Sequence, residues 1–346
     1  MAYISFQPSD YFNTKLYTGN GSTNAITGVG FQPDWVWIKR RDGTNTHNLF
    51  DAVRGATKAL ESNETLAEQT LSTALTAFDS DGFTLGSGGD VNGSSASQVS
   101  WNWKANGQGS ANTDGSINTT YTSANTTSGF SISKFTGTGS TATVGHGLGV
   151  APKLIIAKAL GTTSSWWVYH TSVNSTNTDG YLVLNSTAGT ADDATIWTTT
   201  APTSSVFSIG SAISAHDYVA YCFAEKKGFS KFGSYTGNGN ADGSFIYTGF
   251  KPAFVLAKRT NAVESWVMFD NKRDPHNVVG HILHPNNNTV ESDQTGGTLY
   301  VMDFLSNGFK LKGTDTLVNG SGSTYIYMAF AEEPLVSSNG VPAVAR

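Results

Sequence analysis

The sequence has a single cysteine, Cys222, which excludes an internal disulfide framework. Charge is scarce: Asp, Glu, Lys and Arg make up 14% of 346 residues, against about 25% in an ordinary soluble domain. No run of Lys and Arg stands out and the formal net charge is -5, so the electrostatic footprint of a nucleic-acid partner is missing. No apolar run approaches membrane-spanning length, so insertion by a helix is not expected. The opening Met1-Ala-Tyr-Ile-Ser has neither the basic nor the apolar region of a secretory signal, and synthesis in a cytoplasm is the expectation. What the chain has instead is 38 Gly, loops crowded with Ser, Thr and Asn, and 8 Trp, 13 Tyr and 19 Phe. That aromatic content supplies enough apolar area for large cores and argues against disorder.

An internal repeat organises the rest. Pro33-Asp-Trp-Val-Trp-Ile-Lys39 returns as Pro152-Lys-Leu-Ile-Ile-Ala-Lys158 and as Pro252-Ala-Phe-Val-Leu-Ala-Lys258. In each copy a proline precedes five strand-like residues and a lysine, and self-similarity of this kind marks a repeat architecture. The lysine stems are expected to cover aromatic core while the charges reach water. A polar turn opens each copy: Gly19-Asn-Gly21, Gly137-Thr-Gly139 and Gly237-Asn-Gly239. A closing strand ends each: Trp101-x-Trp103, Tyr221-x-Phe223 and Met328-x-Phe330, with two large side chains on one strand face.

The expected organisation is an arm over 1–15, a β-sandwich unit over 16–106, a Gly/Asn/Ser/Thr linker over 107–127, a second unit over 128–228, a third over 229–334 and a tail over 335–346. The fold class is all-β, with three repeated, jelly-roll-like sandwich units. Glu64 to Phe78 is the best helix candidate, with Leu66, Leu71, Leu75 and Phe78 on one face and Ser62 or Asn63 as cap.

Motifs for chemistry are sparse. The Gly-x-Gly pairs lack the strand-then-helix context of a phosphate loop and read as turns. Asp79-Ser-Asp-Gly82 resembles half a calcium loop without its later ligands and reads as a hairpin turn. His276, His281 and His284 near Asp274 match no zinc spacing. Phe50-Asp-Ala-Val-Arg54 and Phe269-Asp-Asn-Lys-Arg273 read as salt bridges fixing a turn; the second copy has Tyr169-His170 there. Neither a nucleophile motif nor a paired carboxylate constellation appears, so no enzyme, metal or cofactor is expected. Trp166, Trp167, Trp197 and Trp266 are the candidates for stacking on sugars, with Trp166 and Trp167 facing opposite ways on a strand. Phe6, Tyr11 and Phe12 are the candidates for an attachment arm.

Phe6-Gln-Pro-Ser-Asp-Tyr-Phe-Asn-Thr-Lys-Leu-Tyr-Thr-Gly-Asn-Gly21, the Pro33 block, Asp51-Ala-Val-Arg-Gly55, Ala201-Pro-Thr-Ser-Ser-Val-Phe207 and Phe232-Gly-Ser-Tyr-Thr-Gly-Asn-Gly239 resemble a family of virion or tail-fibre-like proteins of tailed phages of marine bacteria. The resemblance covers nearly the whole chain. It implies lectin-like β-sandwiches, assembly in the host cytoplasm and action outside the cell as part of the virion. The expected function is a structural tail fibre or appendage attaching to a host surface glycan. A capsid or tail decoration protein and a glycan depolymerase are the alternatives. Other virion proteins and a homo-oligomer are the expected partners; a trimer follows only by analogy with phage fibres, while abundant aromatics would supply contacts between chains.

Overall fold

In the strand Trp35–Arg40, Trp35 and Trp37 leave one face and Val36 and Ile38 the other, because successive side chains of a strand point to opposite sides. All four are fully buried, so this strand has a core on each face. The computed structural model describes Ile4, residues 6–173, 179–297 and 299–333, and two short strands, Leu335–Val336 and Pro342–Ala343. The chain is all-β: among the described residues the only helical pieces are a 3-10 turn, Pro8–Asp10, and the four-residue Gly89–Asn92. No described helix is long and apolar enough to cross a membrane.

Three larger antiparallel sheets each pack on a smaller one. The first runs Phe12–Thr18, Ser97–Trp103, Trp35–Arg40, Asn48–Asp51, Lys58–Glu61, Gln69–Thr70 in space, over a sheet of Asn24–Thr27, Gly82–Leu85 and Leu75–Asp79. The second runs Tyr121–Asn125, Phe130–Thr136, Asp217–Phe223, Leu154–Ala159, Trp167–His170, Gly180–Val183, Ala191–Asp192, over the pair Ala142–Gly145 and Val206–Ile209. The third runs Ser230–Thr236, Thr324–Phe330, Phe254–Arg259, Trp266–Asp270, over Phe245–Tyr247, Gly308–Leu311 and Met302–Leu305. In all three the closing strand lies between the opening strand and the strand after the proline.

Each sheet pair encloses its own core, built for instance from Val36, Ile38 and Phe83 in the first group. The opposite faces of the three larger sheets merge into one shared core. There Trp35 stacks on Tyr221 at 4.5 Å between ring centroids, Phe12 on Phe330 at 5.2 Å, and Trp103 meets Phe254 edge-on at 5.9 Å. The paired large residues of the closing strands all lie on this inner face. The aromatics expected to supply contacts between chains are therefore largely enclosed within one chain.

The structure corrects four sequence expectations. Glu64 to Phe78 is no helix: Gln69–Thr70 and Leu75–Asp79 are strands, the latter in a two-residue hairpin with Gly82–Leu85. Leu75 is buried and Leu66 exposed, so the leucine spacing never formed one buried face, and β-branched threonines suit the strand. The expected linker 107–127 contains the strand Tyr121–Asn125, which lengthens the second sheet. Its polar side chains are bonded there, Thr122 Oγ1 with Ser133 Oγ at 3.2 Å, and Ser123 Oγ accepts from Asn106 N at 2.8 Å.

The arm is not free either. Phe12 begins the first strand, paired with Trp103, while Phe6 and Tyr11 pack edge-on against Phe229 at 5.4 and 6.4 Å. These three side chains join the first group to the third and do not reach outward. Finally, Lys39, Lys158 and Lys258 are fully buried, ammonium groups included. Of the expected tail 335–346, only the two short strands lie within the described residues.

Candidate functional site

Several buried polar side chains lie at the seams between the three groups. In the first, Asp51 accepts from the Arg54 guanidinium, its Oδ1 accepts Arg54 N at 2.8 Å, and Tyr221 of the second sheet donates its hydroxyl to Asp51 Oδ2 at 2.8 Å. In the third, Asp270 accepts from Arg273 and, at 3.0 Å, from Trp101 Nε1 of the first sheet. Arg273 lies 5.5 Å over the Trp101 ring. In the second, His170 takes the same place: Nδ1 accepts Ser172 N at 3.0 Å and Nε2 donates to Tyr327 O of the third sheet at 3.3 Å. Burial pulls the Arg54 and Arg273 guanidiniums down, but the neighbouring carboxylates outweigh it and hold both above their ordinary value. Burial pushes His170 down to about 4, so its imidazole is neutral. The salt-bridge reading of the two Asp–Arg motifs is what the geometry shows, with the added fact that each reaches across a seam.

A second ring of contacts runs past the lysines. Glu68 N donates to Leu160 O at 2.9 Å, Thr190 N to Thr260 O at 2.7 Å, and Glu291 N to Arg41 O at 2.8 Å, one per seam. Lys158 Nζ donates to Thr65 O at 3.1 Å and Lys258 Nζ to Thr187 O at 3.2 Å, both across seams; Lys39 Nζ donates to Gly43 O at 2.9 Å. Burial lowers each ammonium to about 8. The ends of the repeated strands are thus tied to neighbouring loops by buried cations satisfied by carbonyls, not by charges in water.

The sugar-stacking candidates fare similarly. Trp166 Nε1 donates to Glu61 O at 2.9 Å and Trp266 Nε1 to Val183 O at 3.0 Å, each bolting one group to the preceding one. Trp197 lies in the second group's own core beside Phe207, at 6.3 Å. These three are buried and present no face to a ligand. Trp167 points away from Trp166 and is half-buried, edge-on to Tyr181 at 5.4 Å. Pro33, Pro152 and Pro252 are buried at the starts of their strands.

The turn readings rest on visible contacts. A Cβ on Gly19, Gly137 or Gly237 would come within 2.2, 2.3 and 2.5 Å of a backbone oxygen, and Gly21, Gly139 and Gly239 all have φ near +68°. In the first and third groups a buried asparagine locks this turn. Asn92 Oδ1 accepts Asn20 N at 3.0 Å, and Asn319 Oδ1 accepts Asn238 N at 2.9 Å. Asp81 accepts Gly28 N and Gly30 N at 2.9 and 2.7 Å, so its carboxylate serves a turn. His281 Nδ1 is bonded to Asp274, whose Oδ2 also accepts Gly280 N and His281 N at 2.8 and 2.7 Å. Among the described residues no three His, Cys, Asp or Glu side chains gather as metal ligands.

One sizeable open cleft, of about 610 Å³, lies on the seam between the second and third groups. The second group contributes Ser172, Thr190 and Asp192, the third Ser234, Thr260 and Asn261. None of these stood out in the sequence. The signal that finds them is the strand register, in which Leu16, Lys134 and Ser234 occupy one position: each pairs with the closing-strand residue that also pairs with the repeated lysine.

No curated protein and no solved structure matches this chain. A family model described as a domain of unknown function, DUF7483, matches residues 7–334, and the chain belongs to that family.

Proposed function

We propose that the chain is a structural module of a phage particle that attaches to a host surface glycan and does not cleave it. The observation that carries this reading is where the interior polar groups go. The buried carboxylates, guanidiniums, ammoniums and imidazole described above are bonded across seams or into turns, in a ring that holds three sheet pairs together. A rigid body of this kind positions surface loops, and the loops here are rich in Asn, Ser and Thr, whose hydrogen bonds suit hydroxylated, uncharged partners. Virion placement rests on the sequence resemblance. Weak single sites suffice when many copies act on one particle, since linked sites raise effective concentration.

The test adds purified protein to host cells and to surface polysaccharide isolated from them. Binding with the polysaccharide left at full length is expected. Shortened chains would mark a depolymerase. Absence of binding, together with particle density placing the protein on the capsid shell, would leave decoration as the function.

A further inference from the structure

We infer that the cleft between the second and third sheet groups is a binding site for a short neutral oligosaccharide; this rests on the attachment reading above. Along the rows Leu16–Val99–Lys39, Lys134–Val219–Lys158 and Ser234–Ile326–Lys258, three strands present the same face toward a seam. Leu16 is half-buried and packs on the shared core. Lys134 is half-buried, with its ammonium 4.0 Å from Asp217. Ser234 is exposed and too short to fill the same space.

The facing side of the seam differs in the same sense. Where the other seams place Glu68 and Glu291, the second group places Thr190. Glu291 there forms a two-pronged ion pair with Arg41, at 2.6 Å to Nη2 and 2.9 Å to Nε. Thr190 instead faces Thr260, whereas Glu68 pairs with Arg54 and Lys58 of its own group. Two replacements of long side chains by short hydroxylated ones leave the cleft of about 610 Å³, within the roughly 300–1,000 Å³ of small-molecule sites.

Its chemistry selects the ligand. Hydroxyls of Ser172, Ser234 and Thr236, the Asn261 carboxamide and the Asp192 carboxylate supply polar contacts over the buried Ile326. Among the described residues no Lys, Arg or His lines the cleft, so a phosphate, sulfate or sialic acid would meet no lining cation there. Uncharged hydroxyl and amide donors and acceptors of this kind match the hydroxyls of neutral sugars.

The experiment applies saturation-transfer NMR to the full chain with a panel of neutral hexose, N-acetylhexosamine and deoxyhexose oligomers, and with 3′-sialyllactose as the charged comparator. Transfer is expected to at least one neutral oligomer and not to sialyllactose. Ser234→Leu copies the first group's residue into the cleft and should abolish transfer. Asn261→Ala removes one amide from the wall and should weaken binding about fivefold or more, the worth of one hydrogen bond. The matching Leu16→Ser change, at another seam, should leave binding intact. No transfer to any neutral oligomer, stronger transfer to sialyllactose, or equal binding by wild type and both cleft variants overturns the site. In the last case, or when the protein coats host cells without binding the panel, the attachment reading stands and only the cleft falls; failure to bind host cells sinks that reading itself.

Discussion

The first and third groups solve the same problem by charge, and the second solves it without. Asp51–Arg54 and Asp270–Arg273 are buried ion pairs whose carboxylates also take a bond from the next sheet, Tyr221 or Trp101. His170 fills the corresponding place with one neutral ring and a bond to a backbone carbonyl. The turn locks divide the same way: Asn92 and Asn319 hold the opening turns of the first and third groups, while in the second Gly137 rests against the Ile213–Ser214 backbone. The ring therefore demands that each seam be satisfied, and is indifferent to the chemistry that satisfies it. A buried ion pair carries a liability the histidine does not, since losing one partner strands the other charge.

The largest effect should come from that liability. Asp270→Ala leaves Arg273 with Glu291, 3.1 Å from its Nη1, as its remaining counter-charge and should lower stability toward the low end of about 3–5 kcal/mol. His170→Ala removes neutral hydrogen bonds and should lose about 1–3 kcal/mol. Urea unfolding of both measures the contrast, and equal losses would dissolve it. The pair replaced together, Asp270→Leu with Arg273→Met, should recover most of the loss, because an apolar pair avoids the desolvation of two ions.

Next in size are the asparagine locks. Asn319 donates to Asn238 Oδ1, Asn240 O and Gly313 O at 3.1, 2.9 and 2.8 Å. Asn319→Ala leaves the buried Gly313 carbonyl without a donor and should destabilise by about 1–3 kcal/mol. Asn92→Ala should cost about as much, since its amide makes the same kind of contacts to Asn20, Ser22 and Gly86. A much smaller loss for either, in the same urea assay, would mean that the glycines alone hold the turn.

The most gradual effect is in pH. Burial holds His170 at about 4 in the folded chain, below the roughly 6.5 of an unfolded histidine. Above that higher value both states are neutral and this group adds no pH dependence. As pH falls below it, the unfolded chain takes up a proton that the folded chain refuses, and stability declines until the folded value is reached. The slope from this one group is at most about 1.4 kcal/mol per pH unit. Unfolding series between those limits should show a shallower decline in His170→Asn than in wild type.

Much of this was legible in the residues. The Pro-to-Lys blocks, the Gly-x-Gly turns and the paired aromatics of the closing strands sit where strand periodicity puts them. What the sequence did not show is the second face. Trp35-Val-Trp-Ile reads as an apolar strand, but nothing local says that its two faces belong to different cores. That ignorance explains the errors over Trp166 and Trp266, whose partners lie in the preceding group, and over the lysines, whose carbonyls arrive from neighbouring loops. The helix expected over Glu64 to Phe78 failed for a related reason. Glu68 reaches the second group's Leu160 carbonyl through its backbone, an anchor only an extended chain supplies. The cleft was invisible because it is defined by residues that are small relative to counterparts far along the chain.

The seam between the third group and the first has a consequence in time. Arg41 meets Glu291, 250 residues later, and Gln7 meets the Glu332 carbonyl, 325 residues later. On a ribosome adding about 5–20 residues per second, the first sheet waits roughly 10–50 s for the partner that covers this flank. During that interval a row formed by Phe12 and Trp103 lacks the Phe254 and Phe330 rings that cover it in the finished fold. Nascent chains stalled before residue 291 should therefore be recognised by chaperones and proteases as unfinished, whereas a released chain, once its ends have met, presents no such row to either.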